Sequence, residues 1–227
     1  MLPAGKVEVT MSTAIEHVEI IIEIGRLTGL PGALTMPERA AGLIIFAHGS
    51  GSSRLSPRNV AVSDWLVEQG CATLLFDLLT PDEAADRRNV FDIELLASRM
   101  SSATNFVRQS NLPTLSNQLP IGYFGASTGA AAALVAAAEL GDQVAAIVSR
   151  GGRPDLAGDA LPVVNAPTLL LVGSLDGEVI ELNRRAQQQM TCESQLIIIP
   201  GASHLFEEPG TLEQVSSHAG HWFSRHF

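Results

Sequence analysis

The sequence predicts an α/β fold: a single domain around a mostly parallel sheet of about eight strands, with helices on both faces. Short apolar segments rich in β-branched residues alternate with segments of helical periodicity along the whole chain. Strands that alternate with helices in this way join through right-handed crossovers into a parallel sheet. The 227 residues suit one domain, and hydrophobic residues make up 46% of them, which supplies a large core.

Each strand is predicted from an apolar run that is bounded by polar or glycine-containing segments. We expect an antiparallel hairpin first, formed by residues 17–25 and 27–37 and turning near Pro31 and Gly32. The continuous apolar runs that follow are typical of strands covered on both faces. The later strands are predicted at 42–49, 71–79, 121–124, 144–149, 167–173 and 194–200.

Helices are predicted between these strands from their periodicity and from signals at their ends. Thr80 and Glu83 form a predicted capping box with Pro81 between them, and Thr211 and Gln214 form another at the start of the last helix. Further helices are expected at 58–69, 90–109, 127–140 and 177–190.

Composition and length limit the partners and the architecture. The net charge of −10 argues against a nucleic-acid partner, whose phosphates need a basic face. No apolar segment reaches the roughly 18 residues of a membrane helix, and residues 1–17 lack the apolar centre of a signal peptide. We therefore expect a cytoplasmic protein without a membrane partner, with a flexible tail over residues 1–14 and one domain over 15–227. Only residues 150–166 separate two successive strands, which is too short for a large cap domain.

The central motif places Ser127 between two glycines in GYFGASTGAAAAL, at the junction of a predicted strand and helix. A glycine-rich turn of this kind can bind a dinucleotide phosphate, or it can expose a nucleophilic serine. The first interpretation resembles the short-chain dehydrogenases, which need a Tyr-x-x-x-Lys pair. Tyr123 is the only tyrosine and Lys6 the only lysine, so that pair cannot form. The serine is therefore interpreted as a nucleophile.

A serine nucleophile needs an imidazole to take its proton and a carboxylate to orient that imidazole. Asp176 and His204 each follow a later predicted strand, so both are expected at the same edge of the sheet as Ser127. Asp77 is a rival acid, but its strand precedes that of Ser127, and we expect it to be structural. The rival histidines lie on the last helix and are expected to face solvent: His218, His221 and His226.

The oxyanion that forms during such a reaction needs hydrogen-bond donors. The backbone N–H of Thr128 is one candidate, because it lies at a helix start. The second should come from the loop AHGSGSSR, where Ser50 or Gly51 is the candidate and Ser50 is preferred. We expect His48 to brace this loop. No metal or cofactor is needed for this chemistry.

These motifs together resemble the α/β-hydrolase fold, over the chain from about residue 17 to its end. They are the GxSxG turn, the HGSG loop, the aspartate after VGSL and the histidine in PGASH. The small size and missing cap are similar to the dienelactone-hydrolase-like branch, although the nucleophile there is typically cysteine rather than serine. The runs HGSGSSRLSPRN, FGASTGAAAAL and VSRGGRPDLA also resemble a hydrolase-like domain found beside phosphoribosyltransferase domains in some bacterial proteins.

The resemblance implies a serine hydrolase that cleaves a small ester, lactone or thioester. Arg150 ends a predicted strand and is expected to bind an anionic group of the substrate, with Gly51 nearby. Arg54, Arg58 and Arg153 are expected to be ordinary surface groups. A binding or scaffold module with an idle triad, and an acyltransferase with the same triad, remain open alternatives, and the oligomeric state is not predicted.

Overall fold

An eight-stranded sheet forms the centre of the protein in the computed structural model, which describes residues 15–25, 28–110, 116 and 118–227. The predicted tail over residues 1–14 lies outside the described residues. The strands are β1 (Ile15–Glu23), β2 (Gly29–Pro37), β3 (Leu43–Ala47), β4 (Ala72–Phe76), β5 (Ile121–Ala126), β6 (Ala146–Arg150), β7 (Thr168–Gly173) and β8 (Ser194–Ile199).

The order of the strands is β1-β2-β4-β3-β5-β6-β7-β8. The hairpin β1–β2 and the pair β2–β4 are antiparallel, whereas all other neighbours are parallel. Every residue of β3, β4, β5, β6 and β7 is buried, as expected for strands with helices on both faces. The predicted mostly parallel sheet is therefore confirmed.

Helices cover both faces of this sheet. On one face, α4 and α5 pack together, and α5 also packs on a 3₁₀ segment, Pro154–Val163; on the other face, α1 packs against α7. In the described part of the chain, no helix is both long and apolar enough to cross a bilayer. The helices are α1 (Pro57–Glu68), α2 (Pro81–Ala85), α3 (Arg87–Val90), α4 (Ile93–Gln109), α5 (Thr128–Leu140), α6 (Gly177–Gln187) and α7 (Thr211–His226).

The segment between β6 and β7 contains no large cap domain, as predicted. It is filled by the 3₁₀ segment Pro154–Val163, which turns at Gly158 and packs against α5. The carboxyl edge of the sheet is therefore left open above β5 and β6.

The predicted position of the hairpin turn is wrong. Pro31 and Gly32 lie inside β2, opposite Ile21 and Ile20, and the chain reverses before β2, where the Ile24 N–H donates to the Thr28 carbonyl at 3.0 Å. A proline is tolerated here because the pairing of β2 with β4 begins only at Gly32.

One of the two predicted capping boxes forms. Glu83 N–H donates to Thr80 Oγ1 at 3.2 Å, and Thr80 N–H donates to Glu83 Oε2 at 2.9 Å. The predicted box at Thr211 is wrong, because Thr211 is already the first residue of α7 and its hydroxyl donates backwards to the Glu208 carbonyl at 2.7 Å. The preceding residue, Gly210, has a φ of 79° and takes the N-cap position without a capping side chain.

Candidate active site

Ser127 lies in a strained turn between β5 and α5, with φ 51° and ψ −123°. A non-glycine residue adopts this conformation only where the surroundings enforce it. The flanking glycines permit it: a Cβ on Gly125 would lie 2.4 Å from the Cα of Ala130, and one on Gly129 would lie 2.3 Å from the carbonyl oxygen of Ala47. The turn leaves Ser127 half-buried between buried neighbours.

Asp176 and His204 meet at the same edge of the sheet. Asp176 precedes α6 after β7, and His204 lies in the loop after β8. The distance from His204 Nδ1 to Asp176 Oδ2 is 2.6 Å. Because an ionised carboxylate only accepts hydrogen bonds, Nδ1 carries the proton and Nε2 is left as the basic nitrogen.

The loop after β8 that carries His204 comes close to the turn of Ser127 at Gly151, where the small residue leaves room for it. A Cβ on Gly151 would lie 3.0 Å from the carbonyl oxygen of His204 and 3.6 Å from its Cε1. The preceding residue, Arg150, accepts the Ser127 N–H on its carbonyl at 3.3 Å. No hydrogen bond joins the side chains of Ser127 and His204, both of which lie in the described part of the chain; such bonds are often long in enzymes without substrate.

Glu208 fixes the loop that carries His204. Its Oε2 accepts the Ser203 N–H at 3.0 Å, and this backbone hydrogen bond is the main reason why the pKa of the Glu208 carboxyl lies below its usual range. Phe206, with a φ of 56° and a buried ring, anchors the same loop. Sequence patterns miss Glu208, because an acidic residue before a helix is as often a solvated charge as a loop brace.

The predicted oxyanion residues lie together beside Ser127. Thr128 is the first residue of α5, so its N–H has no hydrogen-bond acceptor within the helix. Ser50 N–H, however, already donates to Thr128 Oγ1 at 3.0 Å. The loop lies close to Ser127, because a Cβ on Gly49 would be only 3.0 Å from the Cβ of Ser127.

His48 joins this loop to the end of β4. Its Nδ1 lies 3.0 Å from the carbonyl oxygen of Gly49, and its Nε2 accepts the Leu78 N–H at 3.1 Å, so Nδ1 is the protonated nitrogen. Burial lowers the pKa of His48, against a smaller raising effect of the Gly49 hydrogen bond and of Asp77. The neutral ring therefore holds the loop after β3 to the end of β4 by hydrogen bonds, as expected from its position in the sequence.

Arg150 does not line the cavity that adjoins residues 48–53, the candidate oxyanion loop. Its side chain is buried, and Nη2 donates to Asn59 Oδ1 of α1 at 3.2 Å. Burial, followed by the nearby charge of Arg58, lowers the pKa of the guanidinium to about 10, so it stays charged near neutral pH. The side chain of Arg150 is thus bound to α1, and its predicted role in binding an anionic group of the substrate stays a prediction.

The other arginines at this edge form ion pairs. Asp77, the rival acid, accepts the Arg54 N–H at 2.7 Å and Arg54 Nη1 at 3.2 Å, which gives it a structural partner. The two remaining pairs are Arg58 with Glu207 at 3.0 Å and Arg153 with Asp155 at 2.8 Å.

A cavity of about 290 Å³ adjoins the oxyanion loop. Gly51, which we predicted to contact substrate, lies in its wall together with Ser50 and Thr128. Among the residues that the structure describes, no group of three or more histidine, cysteine, aspartate or glutamate side chains could hold a metal ion.

Residues 30–224 match the model of the dienelactone hydrolase family. The chain belongs to the dienelactone hydrolase family. This membership supports a hydrolase, and it confirms the resemblance drawn from the GxSxG turn and the later aspartate and histidine.

Solved structures of this family and fold are similar to the chain. A dienelactone hydrolase from Anabaena variabilis is 50% identical, with a TM-score of 0.89 over 94% of this chain and 99% of that one. Est1E from Butyrivibrio proteoclasticus is 19% identical, with a TM-score of 0.75 over 92% and 98% of the two chains. An α/β serine hydrolase without lid from Xanthomonas campestris is 21% identical, with a TM-score of 0.74 over 92% and 94%. The last two show the shared fold.

Two curated relatives, from two strains of Mycobacterium tuberculosis, are provisionally named phosphoribosyl transferases. Each is 54% identical to this chain over 223 residues, which is 98% of this chain and 49% of the relative. The chain thus spans about half the length of these relatives. This agrees with the resemblance to a hydrolase-like domain found beside phosphoribosyltransferase domains.

Proposed function

We propose that the protein is a serine hydrolase that cleaves a small ester, lactone or thioester through an acyl-enzyme. The observation that carries the proposal is the 2.6 Å contact between His204 Nδ1 and Asp176 Oδ2, beside a serine in a strained strand-to-helix turn. A carboxylate that fixes the tautomer of a histidine near such a serine is the arrangement that acyl transfer requires.

The first half of the reaction forms the acyl-enzyme. Ser127 Oγ attacks the carbonyl carbon while His204 Nε2 takes its proton, and the electron pair of the carbonyl bond moves onto the oxygen. Asp176 stabilises the resulting imidazolium. When the tetrahedral intermediate collapses, the leaving atom departs with the proton from Nε2.

The second half releases the acid and restores the enzyme. Water attacks the acyl carbon while Nε2 takes one of its protons, and the bond to Ser127 Oγ breaks as Oγ recovers that proton. Each half passes through an oxyanion that must be stabilised next to Ser127.

Thr128 supplies two donors for that oxyanion in this mechanism. Its N–H lies at the start of α5, where the helix dipole also favours negative charge. Its hydroxyl accepts the Ser50 N–H at 3.0 Å, and this leaves the hydroxyl proton to be donated into the site. Ser50 then acts on the oxyanion through Thr128, since its own N–H already has an acceptor.

The test is covalent labelling with a fluorophosphonate, followed by intact mass measurement. We expect one adduct on the unaltered protein and on Ser52→Ala, an exposed loop serine of the same site, and none on Ser127→Ala. Hydrolysis of 4-nitrophenyl acetate should fall by on the order of 10⁴ or more in Ser127→Ala.

Labelling of Ser127→Ala at the rate of the unaltered protein would refute the assignment of the nucleophile. A lack of any adduct in all three proteins would favour a binding module with an idle triad. Product analysis with and without an added alcohol separates a hydrolase from an acyltransferase, because only the latter transfers the acyl group to the alcohol in preference to water.

A further inference from the structure

The cavity beside the oxyanion loop lies mainly on one side of β5. Most of its walls come from residues that follow β3 and β4 and from α2 to α4, and Pro31 of β2 and Thr128 of α5 complete them. In the sheet, β3, β4 and β2 lie to one side of β5, whereas β7 and β8, which precede Asp176 and His204, lie to the other. Most of the cavity wall and the loop that carries His204 therefore lie on opposite sides of β5, the strand that precedes Ser127.

This arrangement decides which part of a substrate can enter the cavity. The leaving atom must lie within hydrogen-bond reach of His204, which donates the proton to it. The oxyanion must point toward Thr128. The remaining substituent of the carbonyl carbon is the acyl chain, and the direction left for it leads away from His204 into the cavity.

The walls of the cavity are mainly apolar. Four of the lining residues have large aliphatic side chains: Leu78, Leu79, Val90 and Leu96. Apolar surface of this kind favours hydrocarbon because the group leaves water on binding.

The only charged side chain among the described residues that line the cavity is Asp77, since His48 is neutral. Its negative charge is balanced by Arg54, at 2.7 Å from the backbone N and 3.2 Å from Nη1. An acyl group with a second carboxylate would therefore meet Asp77 and no unpaired cation of the wall. Burial of an unpaired carboxylate is costly.

From these walls we infer that the acyl group is uncharged and apolar, and that the cavity is its binding site. The inference rests on the proposed function. A dry cavity of about 150 Å³ holds a benzene molecule, so the observed 290 Å³ has room for a compact group of about ten carbon atoms. The natural substrate is then an ester or thioester of a medium-length aliphatic or aromatic acid, with its leaving group on the side of His204.

Three 4-nitrophenyl esters with one leaving group test this inference: the acetate, the hexanoate and the monoester of adipic acid. The adipate ester has the chain length of the hexanoate and ends in a carboxylate. We expect kcat/KM for the hexanoate to exceed that for the acetate by about 10- to 100-fold, because further methylene groups are buried. It should exceed that for the adipate monoester by about tenfold or more.

A charge variant gives a matched control. Ala84 is exposed on α2 and lines the cavity, whereas its neighbour Ala85 is exposed on the same helix and does not line it. We expect Ala84→Arg to raise kcat/KM for the adipate monoester relative to the hexanoate by about tenfold, because the new cation pairs with the carboxylate. Ala85→Arg should change that ratio by less than about threefold.

The outcomes separate this inference from the proposed function. Equal rates on the hexanoate and the adipate monoester, or on the hexanoate and the acetate, would overturn the inference while the hydrolase stands. An equal effect of both arginine variants would also overturn it. If neither labelling at Ser127 nor turnover of any ester is found, the proposed function itself fails.

Discussion

In the proposed mechanism, Thr128 combines two functions that usually fall to different residues. Its backbone N–H is the donor that any residue after the nucleophile would offer. Its hydroxyl is held by the Ser50 N–H at 3.0 Å, which fixes the orientation of the side chain and polarises it. A hydroxyl that already accepts one hydrogen bond is a better donor in the next.

The hydroxyl of Thr128 should therefore be needed for turnover and not for binding. We expect Thr128→Val, which keeps the shape and removes the hydroxyl, to lower kcat by about 10²-fold with little change in KM, the loss typical of one oxyanion donor. Thr128→Ser should restore most of kcat. Steady-state kinetics on the 4-nitrophenyl hexanoate measure both constants, and unchanged kcat in Thr128→Val would show that Ser50 N–H or another donor acts directly.

The candidate residues of the site could be proposed from the sequence, because the chemistry dictates their residue type and their order along the chain. Ser127, Asp176 and His204 follow three strands whose ends share one edge, and the structure brings the last two into contact. The hydrogen bond between Ser50 and Thr128 was not predictable, since it depends on the distance between a loop and a helix start that are 78 residues apart along the chain. The burial of Arg150 against Asn59 was not predictable either. Side chains alternate between the two faces of a strand, but this alternation does not show which face packs against α1.

At the scale of elements, His48 connects the loop after β3 with the end of β4. Its neutral ring both donates to Gly49 and accepts from Leu78 N–H, and protonation of Nε2 would break the second bond. Burial lowers the pKa of His48 from its ordinary value of 6.5. The unfolded chain therefore binds the proton more readily than the folded protein, and stability is lost as the pH falls below 6.5 toward the folded pKa.

His48→Gln should remove this pH dependence. Its amide oxygen can still accept the Leu78 N–H, but the side chain does not titrate. We expect the free energy of unfolding of the unaltered protein to fall more steeply between pH 6.5 and 5 than that of the variant, by at most about 1.4 kcal/mol per pH unit. Urea unfolding at several pH values measures the slopes.

His221→Gln, at an exposed position of α7, is the control and should keep the slope of the unaltered protein. Equal slopes in all three proteins would contradict the role of His48.

Elements were predictable where one local signal decides them. The buried strands follow from continuous apolar runs, and the start of α2 follows from Thr80 and Glu83. The hairpin turn was misplaced because Pro31 and Gly32 carry a turn signal that the pairing with β1 and β4 overrides. Strand order could not be read from the sequence, since it depends on contacts between distant segments.

At the scale of the whole molecule, the sheet separates two apolar cores that share its strands. Side chains of β3 alternate between them: Ile45 belongs to the core under α4 and α5, whereas Ile44 and Phe46 belong to the core under α1 and α7. The ring of Phe223 in the second core lies so close to β5 that a Cβ on Gly122 would be 2.5 Å from its Cε1. Because the same strands carry both cores, the loss of one core removes the packing on one face of strands that the other core also needs.

The two cores should therefore unfold in one transition, and the tryptophans offer a way to test this. Trp65 and Trp222 both lie with the core under α1 and α7, so their fluorescence reports on that face alone.

Met100, fully buried in the opposite core, is the site of the change. We expect Met100→Ala to lower the free energy of unfolding by about 2–5 kcal/mol. The midpoints from tryptophan fluorescence and from far-UV circular dichroism should shift equally. Asn105→Ala, at an exposed position of the same helix, should leave both midpoints in place. A shift of the circular dichroism midpoint without a shift in fluorescence would mean that the two faces unfold separately. The turn of Ser127 after β5 could then stay formed when one of the two layers of helices is lost.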